Sequence, residues 1–418
     1  MGTAPSMPEE HQKKLFEFPC CIEIRQSLQA AYRADTLGKL TILSLDDTVR
    51  ANVLSAMKNP ESIPESESRA IACFLGMAIG DALGAPLEFS PVEYGKTFIT
   101  SFKDTQYWNS PNFNKFKLKP GQWTDDASMG LCLAESLLTH PDFNPIDLRV
   151  RFAAWWHFGY RSAFGYDEDI QHSVGLGGSI SLSLDEFDTN RTEYTTAGDS
   201  KTSGNGSLMR LAAVPIFYHR NLERAMEIAA KQSKTTHQGD EAAECCRLMT
   251  FLIVHFISGP AGMSNQERKE FVFSKLDEFS SPLYSVECLK RSQDEERHEE
   301  NKSLDLNDRK WNWKSANFRY CESRAKQQPD YIGSYAMDAL SMALHCVWNT
   351  NSFNEALLKV INLKGDSDTV GSITGQLAGS LYGVGDIPSD WISAIQEWDN
   401  QGDVVHTAAK LFHNQNSE

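Results

Sequence analysis

The chain has 418 residues, a length that fits about two to three domains of roughly 150 residues, or one large helical body with additions. Its 40 basic and 56 acidic residues leave a net charge of −16, which disfavours general affinity for nucleic acid or for anionic membrane. With 41% hydrophobic and 23% charged residues, wholesale disorder is excluded. The opening MGTAPSMPEEHQKK lacks the apolar core of a secretory signal, and the C-terminal end carries no lipidation motif. A cytoplasmic, monomeric protein is therefore expected. The apolar run around Met249 to Ile257 contains His255 and falls far short of the ~20 residues a bilayer span needs, so no membrane helix is expected. Nine cysteines include the adjacent pairs Cys20-Cys21 and Cys245-Cys246 and form no CxxC, a pattern of reduced, packed thiols.

In chain order, residues 1–68 read as a helical extension without recognisable chemistry. From Arg69 the pattern becomes long helical stretches broken by Gly-, Asp- and Asn-rich loops, with little of the strict alternation of strands. An all-α body over residues 69–395 follows. A segment at about 262–328 reads as a solvated insertion, because Lys290 to Lys326 holds 18 charged residues in 37. Helical periodicity resumes in YAMDALSMALHCVWN and FNEALLKVINL, and residues 396–418 read as a polar tail.

Four clusters carry chemistry. GMAIGDALGAPLEF repeats glycine at Gly76, Gly80 and Gly84, a spacing that admits a second backbone close to one helix face; Asp81 and Glu88 read equally as ordinary loop acids. In GQWTDDASMGL, Thr124, Asp125 and Asp126 precede a helix. Capping explains one such residue, whereas a threonine with two carboxylates also suits a hard divalent cation. GDSDTVGSITGQLAGSLYG repeats the design with Asp366, Asp368 and Thr369, and its glycines Gly371, Gly375 and Gly379 allow it to pack beside the first set. Four carboxylates brought together repel unless cations neutralise them, so the pair favours a dinuclear site. Finally, the turn Gly204-Asn205-Gly206 precedes a helix and offers amides to a phosphate. It lacks the endings of the P-loop and dinucleotide motifs. His237 in SKTTHQGD reads either as a structural histidine or as a ligand contact.

In content and order, GDALGAPLEF, TDDASMGL, GNGSLMR, the T-H pair and GDSDTVGSITGQLAGSLYG resemble the ADP-ribosylglycohydrolase family, from about Arg69 to Trp391. The resemblance implies an all-α, compact multi-helix bundle with two Mg²⁺ ions, Mn²⁺ being a substitute. Thr124, Asp125 and Asp126 would bind metal from one side, and Asp366, Asp368 and Thr369 from the other. Gly204, Asn205, Gly206 and Ser207 would hold the diphosphate, with His237 beside phosphate or ribose. Glu88, seven residues after Asp81, matches the spacing of a catalytic glutamate in serine-specific members. The acceptor of the water proton stays open among Asp125, Asp126 and Glu88. The implied partner is an ADP-ribosylated protein or conjugate, first an arginine linkage, with serine-linked or small-molecule conjugates, a two-metal phosphohydrolase or a non-catalytic binder as alternatives. The adenine-stacking aromatic stays open among Phe164, Tyr166, Trp123 and Tyr382.

Overall fold

The computed structural model describes residues 54–163, 173–296, 309–399 and 402–414. In chain order its helices of eight residues or more are α1 (Glu65–Gly84), α2 (Asp125–Thr139), α3 (Pro145–Phe158), α4 (Gly178–Asn190), α5 (Leu222–Lys234), α6 (Asp240–Ser258), α7 (Asn265–Ser274), α8 (Ala336–Trp348), α9 (Phe353–Ile361), α10 (Ser367–Tyr382), α11 (Ser389–Gln396) and α12 (Asp403–Phe412). Among the described residues β-structure amounts to two isolated bridges, Ser90 with Gly365 and Gly204 with Tyr335. The fold is all-α, as the sequence predicts.

Helix α1 is the axis of the body. Glu65 and Glu67 in its first turn complement the helix dipole, and Arg69 to Gly84 is buried on every side. Glu65–Leu87 is long and apolar enough to cross a bilayer, yet its apolar part, from Arg69 on, is enclosed by protein. The sequence reading overlooked this stretch because its apolarity is spread over small alanines and glycines.

Against α1 lies α10, also buried along its whole length. A Cβ built on Gly76 would sit 2.2 Å from the Gly375 carbonyl oxygen, one on Gly80 2.1 Å from that of Gly371, and one on Gly379 2.0 Å from that of Ala72. The pairing runs in opposite directions along the two helices, so the end of α1 meets the start of α10. Ser367 Oγ closes this junction by donating to the Gly84 carbonyl at 2.9 Å. Backbones in direct contact leave no room to relax a new side chain. Gly375→Val is expected to cost about 3 kcal/mol or more in chemical denaturation, whereas Gly385→Ala, with a nearest neighbour at 4.0 Å, should change little.

Two expectations for the second half of the chain need correction. Residues 396–418 are not simply a polar tail: α12 buries Val404, Val405, Ala408, Ala409 and Leu411 and packs on α1. The i, i+4 spacing of these small apolar residues supplies one apolar face within polar surroundings. Nor is the charged segment merely solvated. Trp311 and Trp313 are buried, their indole N–H groups donating to Glu296 and to the Leu289 carbonyl, both at 2.7 Å. Lys290 is buried with its ammonium on the Phe279 carbonyl. Charge count hid this because long cationic side chains bury their stems while their heads find acceptors. The expected helical extension at 1–68 lies outside the described residues up to 53.

Candidate active site

The α1–α10 seam delivers two acidic chain ends to one place, and α2 arrives beside them. Asp81, in the last turn of α1, accepts hydrogen bonds from Thr124 N at 2.9 Å, Thr124 Oγ1 at 2.8 Å and Ala127 N at 3.0 Å. It therefore caps α2 from another helix. No side chain of α2's own N-terminus performs that task, so Asp125 and Asp126 are surplus to capping. Thr124 Oγ1 also lies 3.2 Å from Asp126 Oδ2. At α10, Asp368 Oδ1 accepts from Thr369 N at 2.8 Å, and Asp366 Oδ2 accepts from Asn205 Nδ2, also at 2.8 Å. That last bond ties the glycine turn to the acidic centre.

The carboxylates fall into two groups whose oxygens lie within 4.8 Å of one another: Asp81, Asp126 and Asp368, and then Glu88, Asp366 and Asp368. Asp368 belongs to both. All five are buried, and Glu88 Oε2, Asp126 Oδ1 and Asp366 Oδ1 have no hydrogen-bond partner. Burial, reinforced by neighbouring carboxylates, pushes Glu88, Asp125, Asp126 and Asp366 well above the usual range. Asp81 is raised to about 7 and Asp368 to about 6, again chiefly by burial. All-oxygen, crowded with like charge and left with three unpartnered oxygens, this donor set fits hard divalent cations.

Beside the centre opens a cavity of about 430 Å³, lined among others by Glu88, Asp125, Asp368, Thr369, Gly204, Asn205, Gly206, His237, Tyr331 and Tyr335. Asp125 is packed under Gly175, whose φ of +94° and contact distance exclude a side chain: a Cβ there would lie 2.0 Å from Asp125 Oδ1. His237 stands against the turn, with Nε2 3.2 Å from where a Cβ would sit on Gly204 or Gly206. Its Nδ1 is 2.8 Å from Thr236 Oγ1, which accepts from Arg210 at 2.7 Å. With the Arg210 bond taken up by one of its lone pairs, that hydroxyl is free to donate its proton to Nδ1, the arrangement that puts the imidazole proton on Nε2, towards the turn. Burial, then the Arg210 charge, lowers the His237 pKa to about 3, so it is a neutral donor. Arg210 is itself fully buried, bonded to Gln232 Oε1 at 3.0 Å and 4.4 Å over the Phe152 ring.

Not every expected residue faces the cavity. Ser207 is fully buried and receives Ser233 Oγ at 2.8 Å, which braces the turn from beneath, and Asn205 N–H is committed to the Ser334 carbonyl. Asp126 and Thr124 sit behind the lining. Of the aromatic candidates, Trp123 donates to the Arg161 carbonyl and Tyr382 to the Thr350 carbonyl, and neither reaches the cavity. Phe164 and Tyr166 lie outside the described residues. Sequence reasoning missed Asp81 as a site residue, as well as Arg210, Tyr331 and Tyr335. The Asp81 signal was present in GDALGAPLEF and that of Arg210 at the end of GNGSLMR; nothing in the sequence marked Tyr331 or Tyr335.

Residues 62–418 match the family model described as ADP-ribosylglycohydrolase, and the chain belongs to that family of hydrolytic enzymes. It is 29% identical over 358 residues to the ADP-ribosylarginine hydrolase Tri1 of Serratia proteamaculans (strain 568), covering 85% of this chain and 82% of that one. It is 26% identical to the ADP-ribosyl-dinitrogen reductase glycohydrolase of Rhodospirillum rubrum, over 79% of this chain and 92% of the relative. A solved ADP-ribosylglycohydrolase-related protein complex superposes with a TM-score of 0.60 at 27% identity, over 84% of this chain and all of the other.

Proposed function

We propose that the protein hydrolyses the glycosidic bond between ADP-ribose and an arginine side chain of a modified protein, with Mg²⁺ held by Asp81, Asp126, Asp366, Asp368 and Glu88. The observation that carries this reading is Asp368, shared by two carboxylate groups with unpartnered oxygens beside a ligand-sized cavity. The arginine linkage is supported by the relatives named ADP-ribosylarginine hydrolase. When bound, the cation supplies charge neutralisation, a template for ribose hydroxyls and activation of water.

The chain's own residues do the rest. The Gly204–Gly206 turn and the Nε2–H of neutral His237 hold the diphosphate without bringing a full positive charge into the pocket. Cleavage at the anomeric carbon passes through an oxocarbenium-like state and needs a carboxyl group to move a proton. Glu88 and Asp125 line the cavity, which supports giving that role to one of these two before Asp126. Glu88, whose Oε2 is left without a hydrogen-bond partner, is the better placed of the pair.

Incubation of the purified protein and Mg²⁺ with arginine-linked and serine-linked substrates is expected to release ADP-ribose from the arginine conjugate, and chelation should stop the release. AMP as product would replace this reading with phosphohydrolysis; cation-dependent ADP-ribose binding without turnover of any conjugate would make the protein a binder.

A further inference from the structure

Phe89 is left unused by the catalytic reading. It follows Glu88 directly, yet 38% of it is exposed against 4% of Glu88. Its backbone lies at φ +62°, a conformation unfavourable for a bulky residue. Two hydrogen bonds around Gly365 hold it there, Phe89 N to Gly365 O at 3.1 Å and Gly365 N to Ser90 O at 2.9 Å. A large ring kept at the surface in a conformation that glycine adopts more readily marks a position where the ring itself has a use.

The ring stacks on Tyr331, centroids 5.2 Å apart and planes within 8°, and Phe116 meets it edge-on at 5.6 Å. Tyr331 lines the cavity together with Glu88, Asp125 and Asp368. An aromatic shelf thus starts at the acidic centre and continues to the surface. Arg324, stacked at 4.7 Å on Tyr335 of the cavity lining, is engaged there and ion-paired with Asp338. Beside carboxylates, such a shelf suits a planar, delocalised cation, which stacks on aromatic faces while a serine oxygen does not.

We propose that Phe89, backed by Tyr331 and edged by Phe116, docks the guanidinium of the ADP-ribosylated arginine and so sets the preference for arginine over serine linkages. This rests on the glycohydrolase reading above. Steady-state kinetics on an ADP-ribosyl-arginine conjugate should show KM raised about 10-fold in Phe89→Ala with kcat within about twofold, and KM restored in Phe89→Trp. Inhibition by agmatine, a guanidine without ADP-ribose, should weaken in parallel, while calorimetric affinity for free ADP-ribose stays unchanged. An unaltered KM in Phe89→Ala, or an equal loss of ADP-ribose affinity, overturns the shelf and leaves the glycohydrolase reading standing. Absence of ADP-ribose release by the wild-type protein overturns that parent reading and the arginine assignment with it.

Discussion

Asp368→Asn is expected to lower kcat/KM for ADP-ribose release by about 10³-fold or more, while raising the thermal stability of the cation-free protein. The loss follows from position. Replacing a residue that only supports a metal ligand costs about 10- to 100-fold, and Asp368 offers oxygens to both carboxylate groups at once. The gain in stability follows from the same crowding: Asp81, Glu88, Asp125, Asp126 and Asp366 are buried around it, so a neutral amide removes repulsion without opening a cavity. Differential scanning calorimetry with chelator, alongside the release assay, checks both. A variant that turns over at the wild-type rate refutes the shared-ligand assignment, and one that melts lower without cation refutes the electrostatic account.

Cation-free protein should lose stability as pH rises from about 5 to 8, and divalent cation should abolish that slope. Asp81 moves from an ordinary 3.8 up to about 7 on folding, and Asp368 up to about 6. A carboxyl whose pKa is raised in the folded state binds its proton more tightly there than in the unfolded chain. The folded state is therefore favoured at low pH, and the advantage fades as pH climbs through the folded values. For Asp81 alone the shift corresponds to on the order of 4 kcal/mol, since each unit is about 1.4 kcal/mol. Cation occupies the same oxygens and displaces the protons, so its stabilising effect should be largest near pH 8 and small near pH 5. Melting temperatures across this range, with Mg²⁺ and with chelator, read it directly; parallel curves refute the prediction.

The helical body was legible because the determinants of its central seam are local: glycine every fourth residue in two segments predicts close backbone approach, and Gly76 with Gly375 and Gly80 with Gly371 fulfil it. What the sequence left undecided was the purpose of Thr124 to Asp126. The answer lies 43 residues upstream, where Asp81 takes over capping and frees two carboxylates. Such a long-range substitution has no local pattern. Nor does Arg210, a buried cation serving a threonine that orients a histidine, since its neighbours converge only in three dimensions. Ser207 shows the opposite failure: membership of a motif placed it with the ligand, whereas the packing of the turn set its hydroxyl on Ser233.

The seam between α1 and α10 behaves as a gauge block for the chemistry. With carbonyl oxygens pressed against glycine Cα atoms, the helices already stand at the least spacing two backbones permit, so the distance between the acidic ends they carry is not adjustable by exchanging side chains. A change of conjugate preference is therefore expected to come from surfaces outside the block, such as Phe89 and the loop that carries Tyr331 and Tyr335, and not from the spacing of Asp81 and Asp368.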